Sequence, residues 1–479
     1  MALLGITVML ASPRSAMAAS ITWGDCDLAT PEASAAAIDC GWLETGDRLA
    51  GEAVRLRVVR LRARPDRIDA TPVVYVPGGP GSAAGLGPEA LSGWQRWQQR
   101  ARWPRDIVLF DPRATGRSRP RPTCESIRSR RLAAAAQAPS AGVEFDQEAR
   151  AAEGCYRSLG RETAAALGPA AQRGDLEALV AALGVDAVNL WAVSYGTRIA
   201  RVYAQAKPAQ VRAMVLDSVY PFARNDLLAL PAQIGGALAR LDASCAAAPA
   251  CGRKSDAVPS DLVDNLLARY ASRPPTLALA GPEMPVETRF KVTPYRLLLM
   301  VLMASYDANN AADTRARLQR ARAGSADALR PLAERLWRQA LDSARNEAVF
   351  WSTRCALGGT VPSMSAWRDA LSRHPAIAAY LAPARGAPVC DVWQVPRTAT
   401  PAHDASLAAP ALVVSGSEDA VTPPDWARAF ADRHPLARLL TVAGAGHGAS
   451  FTNACAIAAI GDFWAAPAEP LRVSCAGSD

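Results

Sequence analysis

Three residue types that together can catalyse acyl transfer occur in short, glycine-rich contexts along this chain. Ser194 lies in the pentapeptide Ala-Val-Ser-Tyr-Gly at 192–196, Asp419 follows Gly-Ser-Glu, and His447 lies between two glycines. A serine hydroxyl is a weak nucleophile until a base removes its proton, and a histidine oriented by a carboxylate can act as that base. Glu418, beside Asp419, is the alternative acid. The pattern therefore predicts nucleophilic catalysis by a serine.

The residues around Ser194 predict a strand, a sharp turn and a helix. Apolar and β-branched residues lead into the serine over 188–193, and a helical run over 198–205 ends before Lys-Pro. Such a turn is a nucleophile elbow, which exposes the serine hydroxyl above the sheet. The small residues Ala192 and Gly196, two positions before and after the serine, let strand and helix pack closely.

A glycine-rich loop, Pro-Gly-Gly-Pro-Gly-Ser at 77–82, follows an earlier predicted strand. In a serine hydrolase, this is where a second donor for the substrate oxyanion is expected, beside the backbone N–H of Tyr195. Gly79 is the preferred donor, with Gly78 or Gly81 as alternatives, because a proline has no N–H to donate. The loop lacks the glycine and lysine spacing of a phosphate-binding loop.

Strands alternate with helices in two parts of the chain, which predicts an α/β fold with a mostly parallel sheet. Between these parts the strand pattern disappears, and the sequence predicts a large helical cap inserted into the sheet domain. The predicted divisions are a signal peptide at 1–18, the first part of the core at 19–223, the cap at 224–400 and the rest of the core at 401–479. The strands are predicted over 53–61, 72–76, 107–110, 188–193, 211–216, 411–415 and 439–442, and the long cap helices over 227–247, 260–272, 294–305 and 311–346.

Composition and charge exclude several classes of function. The net charge is +8, but the arginines are spread along the chain and form no basic stripe with interleaved aromatic residues, so no nucleic-acid partner is expected. No segment approaches the roughly 20 apolar residues that a membrane-spanning helix needs, so no stable membrane insertion is expected. The short apolar run before Ala-Met-Ala at 16–18 is typical of a secretory signal, with a disordered alanine-rich tail as the alternative.

The 10 cysteines fall into near neighbours along the sequence, and none forms a Cys-x-x-Cys pair typical of metal binding. Together with a secretory signal, this pattern predicts disulfides that close local loops in a secreted or periplasmic protein. The alternative is buried free thiols in a cytosolic enzyme. The expected pairs are 26 with 40, 124 with 155, 245 with 251, 355 with 390 and 455 with 475.

Five ordered motifs give the chain a recognisable resemblance. They are Gly-Gly-Pro-Gly at 78–81, Asp-Pro-Arg-Ala-Thr-Gly-Arg-Ser at 111–118, Val-Ser-Tyr-Gly-Thr at 193–197, Gly-Ser-Glu-Asp at 416–419 and Gly-His-Gly at 446–448. The chain resembles the prolyl/tripeptidyl aminopeptidase branch of α/β-hydrolases, whose triads follow the same order of Ser, Asp and His. The segment around Cys455 and Cys475 is similar to the tripeptidyl-aminopeptidase-like C-terminal part.

The resemblance implies an exopeptidase that releases N-terminal amino acids or short peptides through an acyl-enzyme on Ser194. His447 is then the base, Asp419 orients it, and the N–H groups of Tyr195 and Gly79 hold the oxyanion. No metal and no organic cofactor is needed, and the partner is a peptide or a small acyl substrate. An esterase or amidase that uses the same triad is the alternative, and a catalytically dead binding protein is a second one.

Three charged residues outside the triad carry further expectations. Asp111 and Arg113 are expected to brace a loop near the active face. Glu347, which precedes an apolar run in the cap, is a candidate to bind the substrate's α-ammonium, against the alternative of an exposed helix charge near Arg345. The family often has acidic residues directly after a cap cysteine, whereas here Cys355 is followed by Ala-Leu-Gly.

Overall fold

The computed structural model describes residues 19–27, 38–63, 71–222, 225–246, 258–281, 288–359, 361–398, 407 and 409–475. Within these residues a nine-stranded sheet has the strand order β1-β2-β3-β5-β4-β6-β7-β10-β11, and β8 and β9 form a separate hairpin. The strands are Ser20–Gly24 (β1), Ile38–Leu49 (β2), Glu52–Leu61 (β3), Val73–Val76 (β4), Ile107–Phe110 (β5), Val188–Val193 (β6), Val211–Asp217 (β7), Thr276–Leu279 (β8), Thr288–Lys291 (β9), Ala411–Gly416 (β10) and Ala437–Val442 (β11).

The sheet is antiparallel at one edge and parallel in the remainder. Strands β1, β2, β3 and β5 pair antiparallel in turn, and β5, β4, β6, β7, β10 and β11 pair parallel. Parallel neighbours need helical crossovers on the two faces of the sheet, so their strands are buried on both sides. Strands β4, β5, β6 and β10 are buried along their whole length. The predicted α/β fold with a mostly parallel sheet is confirmed.

Helices cover both faces of the sheet and also form a separate layer. They are Pro88–Ala101 (α1), Glu125–Ala135 (α2), Ala141–Leu159 (α3), Arg161–Ala165 (α4), Pro169–Leu183 (α5), Gly196–Ala206 (α6), Asp226–Ala246 (α7), Pro259–Ser272 (α8), Pro294–Ala304 (α9), Ala311–Arg322 (α10), Arg330–Leu341 (α11), Glu347–Ala356 (α12), Met364–Ser372 (α13), Pro375–Leu381 (α14), Val389–Val392 (α15), Pro424–Ala431 (α16), Ala449–Thr452 (α17) and Ala454–Ala465 (α18).

Strand β6, which precedes Ser194, contributes to two cores. Leu190 and Ala192 belong to a core that includes side chains of α5 and α6, and Trp191 belongs to one with α1 and α18. Trp191 is fully buried and stacks on Trp97 with ring centroids 4.8 Å apart. Because successive residues of a strand point to opposite faces, β6 is fixed on both sides, and so is the turn that follows it.

The predicted cap segment contains α7–α15, and most of its helices share a hydrophobic core that includes Leu266, Leu298 and Trp337, together with Ala135 of α2 and Ala141 of α3. Two expectations for this segment were wrong. The long helix expected over 311–346 is divided into α10 and α11, because Pro331 near the start of α11 cannot continue a preceding helix. The antiparallel hairpin of β8 and β9 interrupts a segment that was expected to be wholly helical.

Four of the five expected disulfides are present: Cys26–Cys40, Cys124–Cys155, Cys355–Cys390 and Cys455–Cys475. The expected pair of cysteines 245 and 251 and the predicted signal peptide at 1–18 include residues outside the described ranges. No helix in the described ranges is both long and apolar enough to cross a membrane.

Candidate active site

Ser194 occupies the turn between β6 and α6 in a left-handed backbone conformation. Its φ is +56°, which L-residues with a side chain rarely adopt, and this strain costs on the order of 1–3 kcal/mol. The backbone N–H of Ser194 donates to the carbonyl of Asp217 at 2.9 Å, and its carbonyl accepts from the hydroxyl of Thr197 at 2.6 Å. The strained serine is therefore held by hydrogen bonds on both sides, in the geometry of a nucleophile elbow.

Two glycines beside this turn allow a close approach of the backbone. A Cβ atom at Gly196 would lie 2.3 Å from the carbonyl oxygen of Val76, and one at Gly78 would lie 3.1 Å from the Cβ of Ser194. Any side chain at Gly196 would separate α6 from β4. Ala192 replaces the usual first glycine of the pentapeptide and is fully buried in the strand before the turn.

His447 and Asp419 form a hydrogen-bonded pair on two loops at the same end of the sheet. The Nδ1 atom of His447 lies 2.9 Å from Oδ2 of Asp419. The Asp419 carboxylate also accepts from the backbone N–H groups of Val421 and Thr422, both at 2.8 Å, and from the Thr422 hydroxyl at 2.6 Å. Asp419 is fully buried, so these bonds replace the water that a carboxylate needs.

The charges of the pair favour an ionised acid and a basic histidine. Burial raises the pKa of Asp419, but the attraction of His447 and the hydrogen bonds outweigh it, so this pKa lies below its ordinary value. Burial lowers the pKa of His447, but the charges of Asp419 and Asp217 outweigh it and raise this pKa above the ordinary 6.5. Glu418, the alternative acid, lies instead beside Arg240 at 3.9 Å.

The loop that carries His447 is held from two directions. The backbone N–H of His447 donates to the carbonyl of Tyr306 in the cap segment at 3.0 Å, and the two rings meet edge to face at 5.0 Å. The N–H of Gly448 donates to the hydroxyl of Ser218 at 2.9 Å. Tyr306 and Ser218 were not predicted from the sequence, because nothing local relates them to His447.

Asp217 is a second buried carboxylate that sequence reasoning missed. It ends β7, and its Oδ2 accepts from the backbone N–H of Ser450 at 2.8 Å and from the Ser450 hydroxyl at 2.5 Å. Burial raises the pKa of Asp217 above its ordinary value even though these bonds lower it. The available signal was an acidic residue at the end of an otherwise apolar buried strand.

The two residues expected to hold the oxyanion line one cavity of about 100 Å³, which we call the oxyanion-side cavity. Tyr195 precedes the first residue of α6, so its backbone N–H has no partner within the helix. Its hydroxyl donates to Gln172 in the core at 3.1 Å, which leaves the backbone as the group that can bind substrate. Gly79 has a φ of +116°, and Gly81 packs against the backbone of Asn346 instead.

Asp111 braces the glycine-rich loop, as predicted. Its carboxylate accepts from the backbone N–H groups of Ala84 at 2.9 Å, Gly85 at 3.2 Å and Arg117 at 2.8 Å. Burial raises the pKa of Asp111 to about 6 although the three N–H groups lower it. Arg113, the other predicted bracing residue, forms a buried ion pair with Asp175 whose closest atoms are 2.6 Å apart.

A second cavity of about 260 Å³, which we call the cap cavity, adjoins the first. Phe350, Arg354 and Gly359 line both cavities. The cap cavity is bounded by an apolar wall, by two carboxylates, Glu144 and Glu148, and by three arginines, Arg131, Arg345 and Arg354. The apolar wall consists of Phe145, Leu227, Tyr295, Leu299, Phe350, Trp351 and Val389. The arrangement can accept an apolar or aromatic group with an attached charge.

Glu347 lines neither of these cavities. Its Oε1 accepts from Arg131 Nη1 at 2.7 Å and lies 3.6 Å from Arg345 Nε. Burial raises the pKa of Glu347, but the two arginines outweigh it, so this pKa lies below its ordinary value. The structure therefore gives Glu347 a partly buried ion pair in place of the predicted contact with substrate. Within the described ranges, no group of three or more His, Cys, Asp or Glu side chains is arranged to hold a metal ion.

The sequence of the chain was compared with known families and proteins. A profile described as the alpha/beta hydrolase fold matches residues 71–454. The chain is 37% identical over 177 residues to the serine protease Hip1 of Mycobacterium tuberculosis. This alignment covers 36% of this chain and 33% of that protein. It is 33% identical over 234 residues to the tripeptidyl aminopeptidase of Streptomyces lividans, covering 46% of this chain and 41% of that protein.

The matched part of the chain thus spans between 33% and 41% of the length of these two relatives. Among solved structures, a proline iminopeptidase-related protein from Thermus thermophilus is similar with 14% identity and a TM-score of 0.41, over 89% of this chain and 97% of that one. Ser194 occupies the strained turn after β6, and His447 is hydrogen-bonded to Asp419. The chain belongs to the α/β-hydrolase fold family.

Proposed function

We propose that this protein is an exopeptidase that releases N-terminal amino acids or short peptides through an acyl-enzyme on Ser194. The observation that carries the proposal is the cap cavity, which adjoins the oxyanion-side cavity and has two carboxylates in its wall. A cavity of about 260 Å³ has room for a few residues at the N-terminal side of a scissile bond. The names of the relatives, a serine protease and a tripeptidyl aminopeptidase, support the same conclusion.

In the proposed mechanism, neutral His447 removes the proton of Ser194 as the serine oxygen attacks the substrate carbonyl. Asp419 holds the proton on Nδ1, so that Nε2 is the basic nitrogen, and stabilises the imidazolium that forms. The N–H groups of Tyr195 and Gly79 bind the oxyanion. The imidazolium then protonates the leaving amine, and water activated by His447 hydrolyses the acyl-enzyme.

The α-ammonium of the substrate needs a carboxylate, because an unpaired charge in a dry site is costly. Glu148 already binds Arg131 with both oxygens. Glu144 uses Oε1 to bind Arg296 at 3.1 Å, whereas its Oε2 is buried without a hydrogen-bond partner in the part of the chain that the structure describes. We therefore assign the ammonium to Glu144, in place of Glu347.

The second candidate function is hydrolysis of small esters or amides with the same triad. The observation that favours it lies in the oxyanion-side cavity, whose wall includes Leu357 and Gly358, two and three positions after the cap cysteine Cys355. In the resembled family, acidic residues often follow this cysteine. A cavity without them accepts an uncharged acyl group at that position.

The partner under the main proposal is a peptide, and the site of action is outside the cytosol. Four disulfides, which persist in oxidising compartments, support secretion or export to the periplasm. Expression with residues 1–18 retained and mass analysis of the exported protein test this proposal. Cleavage after residue 18 is the expected result, and retention of an uncleaved chain in the cytosol would contradict it.

The peptidase proposal is tested with pairs of peptidyl amides that differ only in a free or acetylated N-terminus. The free substrates should be hydrolysed with a kcat/KM at least about tenfold higher, the value of one charge-assisted hydrogen bond. Glu144→Gln should remove most of this preference by raising KM for the free substrates alone.

The matched control is Glu153→Gln, because Glu153 lies on the same helix α3 but is paired with Arg157. This variant should leave KM unchanged for both free and acetylated substrates. A preference of the unmodified protein for acetylated peptides or simple esters would contradict the exopeptidase proposal and support the esterase. If Glu144→Gln lowers kcat/KM equally for free and acetylated substrates, only the assignment of the ammonium to Glu144 is contradicted.

A further inference from the structure

The guanidinium of Arg354 lies where the two cavities meet. Arg354 lines both, and its charge acts on Tyr220 in the oxyanion-side cavity and on Tyr295 in the cap cavity. The guanidinium carbon lies 5.5 Å from the ring centroid of Trp351 and 6.0 Å from that of Phe350. The two aromatic rings hold a flexible side chain in one region through cation–π contacts.

The other arginines that line the two cavities have polar partners, which either neutralise their charge or fix the position of the side chain. Arg131 binds Glu148 and Glu347, Arg345 lies 3.6 Å from Glu347, and Arg198 donates to the carbonyl of Pro221 at 3.0 Å.

The side chain of Arg354 has no ion pair and no hydrogen bond to any residue within the described ranges. The carboxylates nearby are already engaged. Glu148 binds Arg131, Glu144 binds Arg296, and Asp226 accepts from the hydroxyl of Tyr220. Arg354 therefore presents a positive charge without an ion-pair partner at the place where the two cavities meet.

We infer that Arg354 binds a carboxylate in the acyl part of the substrate, such as the side chain of a glutamate or aspartate close to the scissile bond. A planar guanidinium can donate two parallel hydrogen bonds to a carboxylate, and the aromatic rings beside it reduce the entropy lost when they form. The inference rests on the proposed function and specifies its substrate class, namely peptides with an acidic side chain close to the scissile bond. It is compatible with an ammonium at Glu144, since the substrate then carries opposite charges at two separate positions of the cleft.

The test compares free-amine tripeptidyl amides that carry glutamate or the isosteric glutamine at each of the three positions in turn. At one of these positions the unmodified protein should hydrolyse the glutamate substrate with a kcat/KM about 10-fold to 100-fold higher, as expected for a charged hydrogen bond. Arg354→Gln should abolish the difference by slowing the glutamate substrate alone. Arg354→Lys should retain part of it, because the charge remains but the planar fork is lost.

Arg338→Gln is the matched control, since Arg338 is an exposed arginine of α11 that lines neither cavity. It removes the same charge from the cap and should leave the ratio of glutamate to glutamine rates unchanged. Thermal unfolding of each variant separates a change in binding from a change in fold.

The outcomes separate this inference from the proposed function. Equal rates for glutamate and glutamine at all three positions, or a preference that survives in Arg354→Gln, would overturn the inference while leaving the peptidase intact. If no peptide is hydrolysed, the proposed function fails, and the same pairs are compared as competitors that slow fluorophosphonate labelling of Ser194. Stronger protection by glutamate that depends on Arg354 would support the inference, and equal protection would overturn it.

Discussion

The carboxylate of Asp217 accepts two hydrogen bonds from Ser450, one from its backbone N–H at 2.8 Å and one from its hydroxyl at 2.5 Å. The carbonyl of the same Asp217 accepts from the N–H of Ser194 at 2.9 Å. Ser450 follows His447 by three residues in the sequence. One buried residue therefore links the turn that carries the serine to the loop that carries the histidine.

Ser450→Ala removes the hydroxyl from this link and keeps the backbone hydrogen bond. The same hydroxyl accepts from Trp191 Nε1 at 3.0 Å, so two buried hydrogen bonds are lost. We expect kcat to fall about tenfold, because each such bond contributes about 1 kcal/mol and the histidine loop is less firmly held. KM should change little, since Ser450 touches neither cavity. Steady-state kinetics measures both constants. Ser126→Ala, which removes a hydroxyl bonded to Ala151 in α3, is the control, and an equal loss of kcat there would contradict a specific link.

The pH dependence should report the histidine and its carboxylate partner. Protonated His447 cannot accept the serine proton, so activity is lost as pH falls through the pKa of His447, which lies above the ordinary 6.5. Asp419→Asn removes the charge that raises this pKa, so the midpoint of the acid limb should move to lower pH while the rate drops about 10³-fold to 10⁴-fold. The rate of fluorophosphonate labelling against pH measures the midpoint.

Glu418→Gln is the control for this shift. Glu418 is adjacent to Asp419 in sequence but lies beside Arg240, so the midpoint should stay where it is in the unmodified protein. A midpoint that moves equally in both variants would show that general charge, and not the hydrogen bond to His447, sets the titration.

Glu347→Gln should act on stability and not on recognition of the substrate amine. The change leaves the partly buried Arg131 with Glu148 as its remaining ion-pair partner, and we expect the free energy of unfolding to fall by about 1–3 kcal/mol. Urea unfolding measures this loss. KM for free and acetylated peptides should shift alike, and a selective rise for the free peptides would return Glu347 to the substrate site.

The disulfide Cys455–Cys475 should stabilise the C-terminal segment beside the histidine loop. It closes a loop with a sequence separation of 20, and the carbonyl of Cys475 accepts from the N–H of Ala443, directly after β11. Replacing both cysteines by serine should cost about 3 kcal/mol of unfolding free energy, with the larger part acting through the unfolded chain. Mapping of unreduced peptides should recover this linked pair, and recovery of free thiols at both positions would contradict the structure.

The features that the sequence predicted correctly depend on residues that are close to one another in the sequence. Buried strands such as β5 and β6 read as short apolar runs, and the small residues around Ser194 signal its turn. Strand β2 escaped prediction because Gly41 and Gly46 interrupt its pattern. Gly41 is nonetheless needed there, since a Cβ atom would lie 2.8 Å from the side chain of Ile21.

The features that were missed depend on contacts between distant residues. Tyr306 holds the backbone of His447 across 141 positions of the chain, and no local pattern signals this contact. The same reason explains Glu347. Its neighbours Phe350 and Trp351 do line the cap cavity, but the carboxylate of Glu347 is paired with Arg131, from a helix far away in sequence. Burial and pairing of charges are tertiary properties, so a carboxylate's role cannot be read from its own segment.

The most direct test of the central claim is the site and consequence of covalent labelling by a fluorophosphonate. We predict that the unmodified protein gains one phosphonyl group, that peptide mapping places it on Ser194, and that hydrolysis stops in proportion to labelling. Ser194→Ala should fold normally, remain unlabelled and lose several orders of magnitude in kcat, about 10³-fold or more. Labelling of a different serine, or hydrolysis that persists in Ser194→Ala, would contradict the account.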